Sequence, residues 1–138
     1  MSIEISLRVE RENFILDAEF SVPSKGVTVI CGRSGSGKTT LLRGIAGLEK
    51  QAEGVLSVDG EVWHDGKTFL PTYKRSIAFV FQEDNLFPHL SVRGNLDFAF
   101  QRARKGRDAF SLNKIVEIFS LYPFLNRNPK SLSGGEKQ

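Results

Sequence analysis

The sequence is poor in the residues that staple or thread a small protein. Its 138 residues include one cysteine, one methionine, one tryptophan, two tyrosines and two histidines. A single thiol, Cys31, forms no internal disulfide and completes no cysteine metal site, which fits a reducing compartment. No apolar run approaches the roughly 18 residues of a membrane span. Met1 to Glu12 alternates charge with aliphatics where a leader would be continuously apolar. The chain therefore reads as cytoplasmic. Strong charge bias is missing as well: 19 Lys+Arg against 16 Asp+Glu leave +3. That surplus suits a phosphorylated small molecule and is too small to demand nucleic acid. What is present, 40% apolar and 25% charged residues with eleven Phe, is the composition of a soluble globular protein. The length allows one domain, or part of one.

Period-two alternation at Ile3, Ile5, Leu7 and Val9, resuming at Phe14, Leu16, Ala18, Phe20 and Val22, predicts two half-buried antiparallel strands. After the turn Pro23 to Gly26, Val27-Thr28-Val29-Ile30-Cys31 is a nearly continuous apolar run, expected to be a strand covered on both faces. From Lys38 the spacing becomes helical, with Leu41, Leu42, Ile45, Ala46 and Leu48 on one face and Gly47 near the end. Val55 to Val58 and Glu61 to Trp63 flank Asp59-Gly60, a two-residue hairpin signal. Ile77 to Phe81 is a second buried-strand run ending at Gln82, followed by a loop with Pro88. Ser91 is placed to cap a helix through Gln101. Leu112, Ile115, Val116 and Phe119 predict another helix. Ser133-Gly134-Gly135 looks like a helix about to begin, with no helix expected after it.

Gly32-Arg33-Ser34-Gly35-Ser36-Gly37-Lys38-Thr39 fits G-x-x-x-x-G-K-[ST] at every fixed position, between a predicted strand and a predicted helix. The residue types answer a physical need. A triphosphate concentrates negative charge, so glycines let backbone N–H groups close around it, and the helix N-terminus adds its own amides and dipole. Lys38 would bring an ammonium to the β- and γ-phosphates, Thr39 a hydroxyl to Mg²⁺, and Thr40 a donor to the α-phosphate. The bland alternative is a glycine-rich turn that merely joins strand to helix.

Two further segments narrow the choice. Phe79-Val80-Phe81-Gln82 resembles the Q-loop strand of ABC-type ATPases, and Leu132-Ser133-Gly134-Gly135-Glu136-Lys137-Gln138 resembles that family's signature motif. Each segment also has a simpler reading, as a strand-end glutamine bonded to backbone and as a helix cap with a glycine turn. Trp63, Phe69-Leu70-Pro71, Arg75 and the run Leu86-Phe87-Pro88-His89-Leu90-Ser91-Val92-Arg93-Gly94-Asn95-Leu96 resemble the molybdate importer subfamily. Nothing physical in these residues recognises molybdate.

The resemblance implies an α/β P-loop NTPase core, incomplete here, with an antiparallel β subdomain and a helical subdomain. The core would comprise residues 1–83 and 129–138, and the helical subdomain 84–128. It implies ATP and Mg²⁺ as ligands, with Gln82 a second contact to the metal or the attacking water. Ser133, Gly134, Gly135 and Gln138 would meet ATP bound to a second copy of the subunit. The segment after Gln82 would contact membrane permease subunits, with the ATPase peripheral on the cytoplasmic face of the inner membrane. The Walker B carboxylates and the switch histidine would lie downstream of Gln138, so no catalytic residue is assigned within 1–138, and apolar sheet edges are expected to be uncovered.

Other readings are a nucleic-acid-linked ABC ATPase, a small nucleotide kinase and a non-catalytic nucleotide-binding fragment. The first would carry heptads or Cys pairs between the two motifs, and the second would not explain residues 132–138. Phe14 is the nearest candidate for stacking on adenine, although its alternating face points to the core. Arg102, Arg104, Lys105 and Arg107 read as a solvated basic connector, His64 as a turn residue, His89 as a surface contact and Cys31 as a small buried side chain.

Overall fold

A computed structural model describes residues 1–83, 85–102 and 111–138. Its contacts divide the chain into two compact units, Met1–Phe79 and Val80–Gln138. Arg104, Lys105 and Arg107 of the basic connector lie outside the described residues.

The first unit is built on an antiparallel sheet of order β2-β1-β3-β4, formed by β1 (Ser2–Arg11), β2 (Phe14–Pro23), β3 (Glu53–Val58) and β4 (Glu61–His64). The alternation of the sequence sets the register: Ile5 faces Phe20 on one side and Leu56 on the other, and Val9 faces Leu16. One face is thereby lined by Ile5, Leu7, Val9, Leu16 and Leu56, and Leu56 is fully buried. Asp59 and Gly60 both adopt positive φ, 51° and 85°, as the two-residue hairpin requires. Gly54 pairs with Leu7, and a Cβ there would meet the Ser6 carbonyl oxygen at 2.0 Å. Only glycine allows β3 to lie this close to β1.

Helix α1 (Lys38–Ile45) lays Leu41 and Gly44 on this face. Leu42, expected on the same stripe, is 45% exposed, because the buried positions of a 3.6-residue period here run through 41 and 44. The helix ends where Gly47, at φ 75°, turns the chain left-handed. The Gly47 N–H donates to the Gly44 carbonyl and the Leu48 N–H to that of Arg43, a Schellman closure.

Two buried charges hold the far end of α1. Arg75 is 5% exposed and donates to the carbonyls of Leu70 (2.8 Å), Gly44 (3.3 Å) and Ile45 (2.5 Å). Glu49, 8% exposed, accepts from Arg11 at 2.8 Å and Arg43 at 2.6 Å, tying the end of β1 to the last turn of α1. His64 ends β4 with both ring nitrogens buried and its ring edge-on to Phe69, so it belongs to the packed end of the sheet and not to the turn.

The two apolar runs expected as covered strands do not join the sheet. Val27 to Cys31 is irregular, with Val27 93% and Val29 74% exposed and Cys31 exposed rather than buried. Ile77 to Phe81 is likewise irregular, with Val80 89% exposed. A strand is stable only beside a neighbour that takes its N–H and C=O groups, and no described strand lies beside either run.

The second unit holds α2 (Val92–Arg102), α3 (Leu112–Ile118) and a single turn, α4 (Gly134–Lys137), at the helix start that Ser133-Gly134-Gly135 suggested. Val116, Pro129 and Leu132 are buried in it. Phe119 is 69% exposed, because α3 stops one residue earlier and Ser120 reverses the chain at φ 53°. No helix among the described residues is long and apolar enough to cross a membrane.

Burial pushes the Glu49 carboxyl up, but its bonds to Arg43 and Arg11 outweigh this, leaving it below the ordinary glutamate value of 4.5. A depressed folded-state pKa stabilises above the unfolded value and is lost as pH falls through the folded one. Glu49→Gln should therefore cost about 1–3 kcal/mol at pH 7, with the gap to wild type closing below about pH 4. Urea denaturation at pH 7 and pH 3.5 measures both; a gap unchanged between them would show that the ion pairs are not its source.

Candidate nucleotide-binding site

The chain enters Gly32–Gly37 from the irregular segment before it and closes a turn in which the Ser36 N–H donates to the Arg33 carbonyl at 3.2 Å. Gly35 and Gly37 take φ 79° and 91°. At Gly37 the restriction is double, since a Cβ would also stand 2.6 Å from the Phe14 ring and 3.1 Å from Leu16. At Gly32 a Cβ would clash only with the Ser36 hydroxyl, at 2.8 Å, which a turn of that side chain would relieve.

Helix α1 starts directly from Gly37, with no side chain capping it. Its first internal bond runs from the Leu41 N–H to the Gly37 carbonyl at 2.8 Å, so the amides of Lys38, Thr39 and Thr40 precede the helical ladder and remain for a ligand. The Lys38 ammonium donates to the carbonyls of Gly32 (2.9 Å) and Arg33 (2.7 Å), lying across the loop. Arg33, Ser34 and Thr39 are exposed, and residues 32–40 hold two basic side chains and no acid. Curled backbone, uncapped amides and unopposed positive charge fit a polyanion. The exposed Thr39 hydroxyl is a hard oxygen donor of the kind Mg²⁺ takes. No cluster of three or more acidic, His or Cys side chains that could hold a metal stands among the described residues. Phe14, half-buried on the core with its ring against Gly37, shapes the loop's floor.

The other motifs lie in the second unit. Gln82 is exposed, and its carbonyl accepts from Gln138 Nε2 at 3.3 Å, which joins the Q-loop and signature segments. Ser133 caps α4 in a reciprocal box. Its N–H and hydroxyl donate to the Glu136 carboxylate at 2.7 and 2.8 Å, and its oxygen accepts from the Glu136 N–H at 3.4 Å. The Ser133 amide, then its hydroxyl, hold the Glu136 carboxyl below the usual carboxylate range, with Arg127 adding to this. A Cβ on Gly134 or Gly135 would meet nothing within 4 Å. Packing within the described residues therefore gives no reason for two glycines.

Sequence reasoning gave no role to Asn95. Its amide accepts from the Phe87 N–H at 2.7 Å and donates to the Phe87 and Ser91 carbonyls at 3.1 and 2.9 Å. It pins the loop after Gln82 to α2 and holds Phe87 against Phe98, with ring centroids 4.6 Å apart. The sequence carried it only as part of the Leu86–Leu96 resemblance and as an asparagine four residues beyond a helix-capping serine. Glu49 was missed, and Arg75 was noted for resemblance without a role, for the same reason: their partners are distant in sequence.

Comparison with known proteins agrees with this arrangement. The ABC transporter family profile matches residues 15–138. Molybdenum import ATP-binding protein ModC of Thiobacillus denitrificans is 48% identical over 137 residues, covering 99% of this chain and 38% of that protein. ModC of Methylococcus capsulatus is 48% identical over 136 residues, with the same coverages. The chain thus spans little more than a third of the length of these relatives. A dimeric bacterial ABC transporter cassette of known structure superposes with a TM-score of 0.72 at 26% identity, over 99% of this chain and 65% of that one. Sequence motifs, fold and loop geometry converge, and the chain belongs to the ABC transporter family.

Proposed function

We propose that this chain supplies the ATP-binding half-site of an ABC importer, with residues 32–40 holding the nucleotide. The observation that carries the reading is the uncapped start of α1 behind a glycine turn crossed by the Lys38 ammonium. In the free loop that ammonium is satisfied by two carbonyls, so binding exchanges them for β- and γ-phosphate oxygens at little cost in desolvation. The amides of Gly35, Gly37 and Lys38 close on the β-phosphate, and Thr39 and Thr40 offer hydroxyls. Bound Mg²⁺ would neutralise charge between the β- and γ-phosphates, and Thr39 is its ligand from this loop.

The signature segment faces ATP held by a second copy. Supporting this are the open space over Gly134 and Gly135 and the dimeric state of the related cassette. The Asn95-pinned loop after Gln82 is the contact for a membrane permease, with the subunit peripheral on the cytoplasmic face. Uptake of molybdate or a related oxyanion is supported by what the ModC relatives are named for, and by no residue that recognises the cargo.

Mg-ATP should raise the melting temperature of the intact protein, by the equivalent of about 2.7 kcal/mol at a hundredfold excess over Kd. Lys38→Ala should lose most of that rise; equal shifts in both proteins would count against the loop as the binding site. Hydrolysis needs a residue that orients or deprotonates water, and none is assigned here. Purified 1–138 should therefore turn over ATP negligibly, and turnover abolished by Lys38→Ala would overturn that assignment.

A further inference from the structure

An ATP-binding helix has an awkward mechanical requirement. Its N-terminal amides must stay uncapped for the phosphates, so restraint has to come from elsewhere. At that end no side chain caps α1, which rests on the core through Leu41 and, at Gly37, lies over Phe14 and Leu16. At eight residues it is about 12 Å long, so any looseness at its C-terminus is passed to the loop. Into that C-terminus the fold inserts one side chain from outside the helix, Arg75.

The guanidinium of Arg75 takes the Gly44 and Ile45 carbonyls, which the Schellman closure leaves with spare capacity, and the Leu70 carbonyl ahead of its own turn. Its carbon lies 5.5 Å from the Trp63 ring centroid and 5.4 Å from that of Phe69. Gly47 completes the clamp, since a Cβ there would stand 2.7 Å from the Arg75 guanidinium carbon. Arg75 makes no ion pair among the described residues. A buried cation without a carboxylate is costly if its only task is to fill space, and a planar donor fork that reaches three carbonyls and two ring faces at once is a geometry lysine cannot reproduce.

We propose that Arg75 is a positioning residue for nucleotide binding: it locks the C-terminal end of α1 to β4 and the 69–75 segment, and so fixes the amides and Lys38 of the phosphate loop 12 Å away. The inference rests on the ATP-binding reading above. It predicts that damage to the clamp weakens Mg-ATP more than the loss of fold stability accounts for.

The test is calorimetric Kd for Mg-ATP with the intact protein, beside the melting temperature without nucleotide, for wild type, Arg75→Gln, Arg75→Lys and Lys38→Ala. Arg75→Gln should bind about tenfold more weakly while still melting cooperatively, and Arg75→Lys should recover only part of that loss. A lowered melting temperature with wild-type Kd in Arg75→Gln would overturn the proposal and leave Arg75 a structural residue. If Arg75→Gln does not fold, Phe69→Leu, which removes one ring face from the clamp, decides in the same way: weakened binding supports the proposal and unchanged Kd overturns it. If wild type itself does not bind, or Lys38→Ala binds equally well, the ATP-binding reading fails instead.

Discussion

The close approach of α1 to β1 is the constraint on which the first unit depends. A Cβ on Gly44 would stand in van der Waals contact with Leu7, at 3.4 Å, and Leu41 fills the space among the sheet's apolar side chains. The helix therefore rides directly on β1, with a glycine facing Leu7. Everything that bears on phosphate follows from that seat: the direction of the helix axis, the position of Gly37 over Phe14, and the exposure of the amides that precede the first helical bond. The sheet is thus less a container for a core than a platform for one short helix.

Charge is used differently at the helix's two ends. Near its start, Arg33 and Lys38 are accessible and unopposed by acids, as an anion site demands. Near its finish, Arg43 is answered by Glu49 and Arg75 by carbonyls. The macrodipole favours cations at the C-terminus, which makes Arg75 tolerable there, while the positive N-terminal end is left to the ligand. In the second unit a carboxylate stands where a helix start invites one: Glu136 satisfies the Ser133 amide and hydroxyl within a single turn.

Local signals in the sequence were read well. The alternation of β1 and β2, Asp59-Gly60, the shift to helical spacing at Lys38 and the capping serine at Ser91 each act within a few residues, and each appears in the structure. What escaped was set by distant partners. Val27 to Cys31 and Ile77 to Phe81 have the composition of covered strands, but composition states only what a segment prefers beside a neighbour, and no described strand stands beside them. Glu49, Arg75 and Asn95 look like ordinary polar residues until the backbone brings Arg11, Gly44 or Phe87 to them. The candidate site's glycine loop was legible because its residues are contiguous in the chain; the contacts of Arg75 behind it were not, because they join segments some thirty residues apart.

The exposure of Val27, Val29 and Val80 bears on how the polypeptide behaves in solution. Val27-Thr28-Val29-Ile30-Cys31 is uncharged, rich in β-branched residues and free of proline, the makeup of a segment that recruits another chain as its missing neighbour. Exposed together with Cys31, such a run has its N–H and C=O groups without a ladder partner among the described strands. The five residues that lead into the glycine loop are thus also those with the strongest need for a covering neighbour.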